Sequence, residues 1–310
     1  MRRAFAETLA ELAEKDERIV LLTADLGYMA LEPFADKFPK RFINVGVAEQ
    51  NMIGIATGLA EAGRIPFAYS IVPFAVLRPY EFIRNGPLFH KLPVRIVGVG
   101  AGFDYASNGP SHYGLEDVGM MRLQPGMAVI APADAAQTRV AMRATFDLPG
   151  PIYYRLSKDE KIAVPPLEGR FDLGKLQKVR AGTDVLMLCM GNVAKEALTA
   201  CEALAADGIS AGLAIVSSFN PSPTEDLIAE LGKVLAVMTV ETHYLAGGIG
   251  SFAAEVIAEH GLKCRLTRCG VHEIPTGPIG DLQYFYDRFG LSSTKLAATA
   301  KKAISAATAR

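Results

Sequence analysis

Short apolar runs alternate with segments of near-fourfold periodicity along almost the whole chain. The apolar runs are rich in β-branched residues and of strand length, and the segments between them have the periodicity of helices. In the first half the predicted strands are residues 19–22, 65–71, 94–99, 129–130 and 152–155. Most of these runs are apolar on both faces, which favours a largely parallel sheet covered by helices on each side. The pattern predicts an α/β fold.

A break in this pattern divides the chain in two. Between residues 157 and 182, charged residues, prolines and glycines replace any periodicity, which is typical of an extended linker. After it, strands are predicted at 185–190, 213–216, 234–240 and 264–266, and helices near 193–206, 223–231 and 248–259. The tail from Leu296 onward predicts a surface helix. We therefore expect two α/β domains, 1–157 and 183–310, each a mostly parallel sheet flanked by helices, joined by a linker at 158–182.

Composition and charge narrow the functional classes. Half of the 310 residues are hydrophobic and the formal net charge is −1, so there is no electrostatic case for nucleic acid or for an acidic membrane. The first residues lack the apolar block of a signal peptide, and no apolar run is long enough to span a bilayer. Four cysteines without C-x-x-C spacing suit reduced thiols. We expect a cytoplasmic protein with small-molecule and protein partners.

The segment 41–60 is the most informative part of the chain. A strand is predicted to turn into a helix here, with Glu49 in the first helical turn. Gly54 and Gly58, four residues apart on one face, allow another helix or chain to approach closely. On spacing alone, an acidic residue at this position more often complements the helix dipole than takes part in chemistry.

Residues 45–52, with the sequence VGVAEQNM, resemble the pyrimidine-binding domain of transketolases and of deoxyxylulose-phosphate synthase. The second domain resembles the C-terminal domain of the same family, so the resemblance covers nearly the whole chain. It implies thiamine diphosphate as cofactor, with Glu49 bonded to N1′ of the aminopyrimidine. That role requires a carboxylate in a dry site, which a partner surface over Gly54 and Gly58 could supply.

Two further segments match the family near the cofactor. Asp25, in TADLG at 23–27, matches a residue beside the cofactor, whereas by spacing alone it caps a turn. Residues 70–78 resemble the turn that places an aromatic ring against the aminopyrimidine, which implies Phe74; counting back from residues 84–85 instead points to Phe82. Arg78 contacts substrate in the manner of the synthase, or pairs with a surface carboxylate.

Residues 108–112, NGPSH, resemble the family loop DGPTH, whose histidine faces the reacting carbons of the ketose. The resemblance implies that His112 donates to a developing alkoxide and shuttles its proton, although a lone loop histidine is by default solvated. Asn108 replaces the usual aspartate, which contacts the acceptor hydroxyl. The acceptor preference is therefore open.

The residues expected to bind a substrate phosphate depart from the family pattern. Gly100 stands where sugar-phosphate transketolases carry a histidine, and Lys158 stands where they carry an arginine. A lysine gives a point charge without the bidentate fork of arginine. Arg155 is the candidate that compensates, or both cations belong to the solvated start of the linker. The sequence therefore leaves both a phosphorylated and an unphosphorylated substrate open.

The motif that anchors the diphosphate is absent. The family binds Mg²⁺ through a Gly-Asp-Gly motif, and this sequence contains none; Gly280-Asp281-Leu282 lacks the third glycine. We expect no metal ligands in this chain and a partner, an N-terminal transketolase subunit, that supplies the diphosphate and Mg²⁺ site. The expected assembly is a heterotetramer with active sites where the two kinds of chain meet.

Three functions are compatible with these patterns. The first is the C-terminal subunit of a split transketolase that transfers a two-carbon ketol unit from a ketose to an aldose. The second is a subunit like deoxyxylulose-phosphate synthase or the β subunit of a 2-oxoacid dehydrogenase, which shares the two-domain layout. The third is a non-catalytic scaffold, against which the presence of Glu49 and His112 argues.

Overall fold

Two sheets, each flanked by helices, make up the computed structural model, which describes residues 1–309. The first half contains α1 (Arg2–Lys15), β1 (Ile19–Thr23), α2 (Glu32–Ala35), β2 (Phe42–Asn44), α3 (Glu49–Glu61), β3 (Ile65–Ile71), α4 (Val72–Val76), α5 (Tyr80–Ile83), β4 (Arg95–Val99), α6 (Asp117–Arg122), β5 (Ala128–Ile130), α7 (Ala135–Thr145) and β6 (Ile152–Leu156). The second half contains β7 (Leu176–Arg180), β8 (Val185–Met190), α8 (Ala194–Ala206), β9 (Ala211–Val216), β10 (Ser218–Phe219), α9 (Thr224–Leu231), β11 (Ala236–Tyr244), α10 (Ile249–Glu259), β12 (Arg265–Val271), α11 (Leu282–Arg288) and α12 (Ser293–Thr308).

The strands are mostly parallel. The first sheet has the order β10-β5-β6-β4-β3-β1-β2, and only β10 at its edge is antiparallel to its neighbour. The second has the order β12-β11-β8-β9-β7, with β7 antiparallel to β9. Parallel strands need crossover helices, and these cover both faces of the first sheet. The predicted fold class, two α/β domains with mostly parallel sheets, is confirmed.

The two halves share a continuous core. One face of the first sheet packs Met52, Ile53 and Val129 into a cluster that extends to Leu188 and Phe252 of the second half. β10 also leaves the second half to pair with β5 of the first sheet. The second half is therefore packed against the first over a wide area.

The region predicted as an extended linker contains a strand. Residues 176–180 form β7, an edge strand of the second sheet, and a 3₁₀ turn lies at Pro165–Leu167. The sequence of β7, LQKVR, does not predict a strand, because an edge strand pairs with a neighbour on one side only and tolerates exposed polar side chains. The extended stretch is thus shorter than predicted. At the other end, α12 starts three residues before Leu296 and buries Leu296 and Ala300.

Candidate active site

The predicted site residues follow strands that end at one edge of the first sheet. β1, β2, β3, β4 and β6 are mutually parallel. Their carboxyl ends therefore meet at one edge, which is where ligands bind in open α/β sheets. Asp25 follows β1, Glu49 follows β2, Phe74 follows β3, His112 lies in the connection after β4, and Lys158 follows β6.

Glu49 is a buried carboxylate in the first turn of α3, where the sequence predicts it. Its side chain is 1 % exposed. Nη1 of Arg78 donates to Oε2 of Glu49 over 2.6 Å, and the Ser70 hydroxyl lies 3.4 Å from Oε1. One oxygen therefore has a strong charged partner, and the other has only a long contact with a hydroxyl.

Phe74, Arg78 and His112 form a cluster beside this carboxylate. The rings of Phe74 and His112 meet edge to face with centroids 5.2 Å apart. The guanidinium carbon of Arg78 lies 4.5 Å from the Phe74 centroid, so Arg78 contacts both the ring and Glu49. The structure thus brings together four of the predicted residues: a carboxylate, an aromatic ring, a cation and an imidazole.

The loop that carries His112 is built from two short 3₁₀ turns, Ala106–Asn108 and Pro110–His112. Asn108 is exposed, and His112 is half-buried with the Ser111 hydroxyl 3.0 Å from its Nδ1. The loop therefore leaves the imidazole partly accessible at the sheet edge, with Asn108 on its solvent side.

Asp25 lies at the same edge but outside this cluster. Its carboxylate accepts a hydrogen bond from Asn44 Nδ2, and its own N–H donates to Asn44 Oδ1. Asp25 has a φ of +56°, a conformation that aspartate adopts more readily than most residues. These bonds join the ends of β1 and β2. In this structure Asp25 therefore stabilises the turn that leads to Glu49.

Their contacts distinguish the two candidates for the aromatic position, Phe74 and Phe82. Phe74 touches His112 and Arg78, whereas the Phe82 side chain is 44 % exposed and, among the described residues, makes no ring contact with either. The ring beside Glu49 is that of Phe74. Lys158 lies elsewhere on the edge, with Nζ 4.4 Å from the centroid of the Tyr105 ring.

The prediction of Arg155 as a substrate-binding residue is wrong. Arg155 is 1 % exposed, and its Nε donates to Oδ2 of Asp117 over 2.8 Å. Its Nη2 donates to the carbonyls of Gly114 and Thr242. A buried guanidinium committed to these acceptors is not available to a substrate, and it does not belong to a solvated linker either.

Gly100 has a local reason to lack a side chain. Its φ is +83°, and a Cβ placed there would lie 2.1 Å from the ring of Tyr105. A histidine at this position would require both a strained backbone and a different Tyr105. The backbone conformation and the packing of Tyr105 therefore both favour glycine at this position.

Sequence reasoning missed the buried polar groups behind the site, Asp117, Tyr153, Glu241 and His243. Tyr153 donates to Oδ2 of Asp117 over 2.6 Å. Burial raises the pKa of Glu241 to about 7 and lowers the pKa of His243. The available signal was the cation Arg155 inside an apolar strand run, since a buried charge needs a buried partner.

The described residues fit one end of a thiamine cofactor. A flat aminopyrimidine needs an apolar ring face and a buried acid that can share a proton with a ring nitrogen, which Phe74 and Glu49 offer. The diphosphate with Mg²⁺ needs several oxygen ligands. Among residues 1–309, no three His, Cys, Asp or Glu side chains are grouped to hold a metal ion. In the same range, no helix is both long and apolar enough to cross a membrane.

Comparisons with known proteins identify the family. The family described as transketolase, pyrimidine binding domain, matches residues 1–161, and transketolase, C-terminal domain, matches residues 174–296. A putative transketolase C-terminal section from Methanocaldococcus jannaschii is 40 % identical over 300 residues, which cover 95 % of this chain and 94 % of that protein.

Two further relatives span nearly the same length. The 6-deoxy-6-sulfo-D-fructose transketolase subunit SqwH of a Clostridium species is 38 % identical over 96 % of this chain and 92 % of its own. A solved structure described as a split gene transketolase, inactive beta4 tetramer, is 36 % identical, covers 98 % of both chains and superposes with a TM-score of 0.87. The chain belongs to the transketolase family and comprises its pyrimidine-binding and C-terminal domains.

Proposed function

We propose that this chain is the C-terminal subunit of a two-chain transketolase that transfers a two-carbon ketol unit from a ketose to an aldose. The observation that carries the proposal is Glu49, a carboxylate with 1 % exposure beside an aromatic ring and an imidazole at the carboxyl ends of parallel strands. The names of the relatives support it, since one is a C-terminal section and another a subunit.

Thiamine diphosphate, when bound, supplies the carbon nucleophile and holds the negative charge of the transferred unit. Glu49 would hold a proton at N1′ of the aminopyrimidine, and Phe74 would bind one face of that ring. Arg78 contacts both residues, so its guanidinium holds the carboxylate and the ring next to each other. His112 would donate a hydrogen bond to the substrate oxygen that gains negative charge.

The proposal includes a partner chain that carries the diphosphate and Mg²⁺ ligands. Large apolar side chains near the site edge are exposed, with Tyr28 at 85 %, Met29 at 80 % and Val47 at 73 %. Gly54 and Gly58 lie on the exposed face of α3, and a Cβ at either would meet nothing within 4 Å. An exposed apolar surface next to a bare helix face favours a protein partner that closes the site.

The substrate class is proposed from the remaining polar groups. Asn108 is exposed in the loop that carries His112, and Lys158 follows β6 at the same sheet edge. Lys158 is the cation that can contact an anionic group on the sugar. One relative is named for a sulfonated ketose and another for a sugar phosphate. A panel of phosphorylated, sulfonated and neutral ketoses therefore covers the chemistry that these residues can recognise.

The test is reconstitution with a companion chain that bears Gly-Asp-Gly. Cofactor binding and ketol transfer are measured for this chain alone, for the companion alone and for the mixture, with thiamine diphosphate and Mg²⁺. We expect transfer only in the mixture, and expect Glu49→Ala to abolish it, whereas the matched control Glu61→Ala at the exposed end of the same helix retains it.

Other outcomes contradict the proposal. Full activity of this chain alone overturns its role as a subunit. Turnover of pyruvate in place of the ketose donors favours the synthase-like or dehydrogenase-like function. A mixture that assembles but remains inert with every donor favours the scaffold.

A further inference from the structure

The segment that follows His112 is held by the second half of the chain. The N–H of Tyr244 donates to the carbonyl of Leu115 over 2.9 Å. The N–H of Gly119 donates to Nε2 of His243 over 3.2 Å. Both acceptors and donors are buried or nearly so. The end of β11 therefore fixes residues 115–119 at two points.

Arg155 joins the same segment to β11. Its Nε bonds Asp117, and its Nη2 bonds the carbonyl of Gly114 at 3.2 Å and that of Thr242 at 2.8 Å. The ion pair with Asp117 is buried, with side-chain exposures of 0 % and 1 %. Because water cannot replace these bonds, one guanidinium sets the spacing between the loop of the first domain and the strand of the second.

Gly114 connects residues 115–119 to the candidate active site through backbone contacts. It pairs with Gly102 through two backbone hydrogen bonds of 2.9 Å. A Cβ on Gly114 would lie 2.6 Å from Cγ1 of Val72, so the loop backbone packs directly on the start of α4. Val72 is two residues before Phe74, and Gly114 is two residues after His112. The position of the Gly114 backbone therefore constrains the contact between the rings of Phe74 and His112.

We propose that Arg155 and His243 are positioning residues: they hold residues 113–119, the brace segment, so that His112 stays against Phe74. The C-terminal domain thereby sets the geometry of a site whose clustered residues, Glu49, Phe74, Arg78 and His112, all belong to the first domain. The catalytic meaning of this placement depends on the proposed function, but the placement itself is a property of the isolated chain.

The chemistry of His243 suits this task. Its Nδ1 is 2.7 Å from the carbonyl of Tyr244, to which it donates, and this leaves Nε2 as the acceptor for Gly119. Burial lowers the pKa of His243, which favours the neutral ring. A glutamine can present an acceptor near the place of Nε2, whereas a leucine cannot.

The first test follows the His112 ring protons by NMR in the isolated chain, with His112→Gln to assign them. The ring of Phe74 shifts these resonances through its ring current. Arg155→Lys and His243→Leu should move them towards the position of an unpacked histidine, and His243→Gln should restore them. Circular dichroism verifies that each variant is folded.

Arg95→Lys is the matched control. Arg95 is also a buried strand arginine, 0 % exposed, and it bonds the carbonyls of Phe146, Leu148 and Gly150, away from the loop. Its replacement should lower stability and leave the His112 resonances in place. The inference is overturned if folded Arg155→Lys and His243→Leu leave His112 unshifted, or if Arg95→Lys shifts it equally.

The second test uses the reconstituted complex. A displaced imidazole should lower kcat on the order of 10²-fold for Arg155→Lys, with little change in KM or in cofactor affinity. Recovery of kcat in His243→Gln relative to His243→Leu supports positioning, and equal loss in both contradicts it. If the wild-type mixture is inert the proposed function fails, while the NMR experiment still decides the inference.

Discussion

Leucine at Gly54 and Gly58 should stabilise the isolated chain and yet weaken its binding to a partner. Both glycines lie in the interior of α3 on its exposed face, and a Cβ at either meets nothing within 4 Å. Leucine is a better helix former than glycine by roughly 0.5–1 kcal/mol per site. Each kcal/mol raises the melting temperature of a chain of this size by about 1.5 °C.

The effect on assembly has the opposite sign. If a partner packs closely on this face, each leucine overfills the contact at a cost of about 1–3 kcal/mol. That cost weakens the affinity for the partner by about 5- to 150-fold for one substitution. Stability and assembly should therefore change in opposite directions, which general damage to the fold would not produce.

Thermal unfolding of the isolated chain gives the first quantity, and titration calorimetry with the companion chain gives the second. Ala203→Leu is the control, because Ala203 is exposed on α8 and receives the same side chain far from the candidate site. Undiminished binding of Gly54→Leu would refute the placement of the partner on α3. A drop in its melting temperature would refute the view that this face is bare in the isolated chain.

Three further predictions concern the interior. Arg155→Met leaves the Asp117 carboxylate buried without its cation and should cost about 3–5 kcal/mol in urea unfolding; the double variant with Asp117→Leu should lose less, and a single-variant loss under about 1 kcal/mol would contradict the buried pair. Burial raises the pKa of Glu241 from 4.5 to about 7, so the folded state binds the extra proton and the unfolding free energy should fall as pH rises from about 4.5 to 7; a Glu241→Gln variant with an unchanged pH slope would speak against this. Burial also raises the pKa of all four thiols, those of Cys189, Cys201, Cys264 and Cys269. A thiol reagent should therefore react with none of them before the protein unfolds, and fast reaction of any one in the folded protein would contradict this.

The placement of the main site residues was predictable from the sequence. Glu49, Phe74 and His112 all follow predicted strands, and the carboxyl ends of parallel strands share an edge. The family motifs then supplied the residue identities. The ion pair of Arg78 with Glu49 was not predictable, because a long side chain at an exposed edge takes its conformation from whatever neighbours are present.

The buried network behind the site shows the limit of sequence reasoning. Arg155 and Asp117 are 38 residues apart, and His243 is 124 residues from Gly119. An arginine in the apolar strand IYYRL signals that buried acceptors must exist, but neither which residues they are nor whether they are carboxylates or carbonyls, since the buried Arg95 is satisfied by carbonyls alone. The strand β7 escaped for a related reason, since its polar sequence is typical of an edge whose partner lies 30 residues or more away.

Exchange of the C2 proton of thiamine diphosphate tests the role of Glu49 most directly. Exchange into deuterated water is measured by rapid quench and NMR with this chain, the companion chain and Mg²⁺ present and no sugar added. We predict fast exchange in the mixture and exchange slower by about 10²–10⁴-fold with Glu49→Gln, the contribution typical of a positioned acid or base. Equal exchange rates for the wild type and Glu49→Gln, with the cofactor bound in both, would contradict the assignment of Glu49.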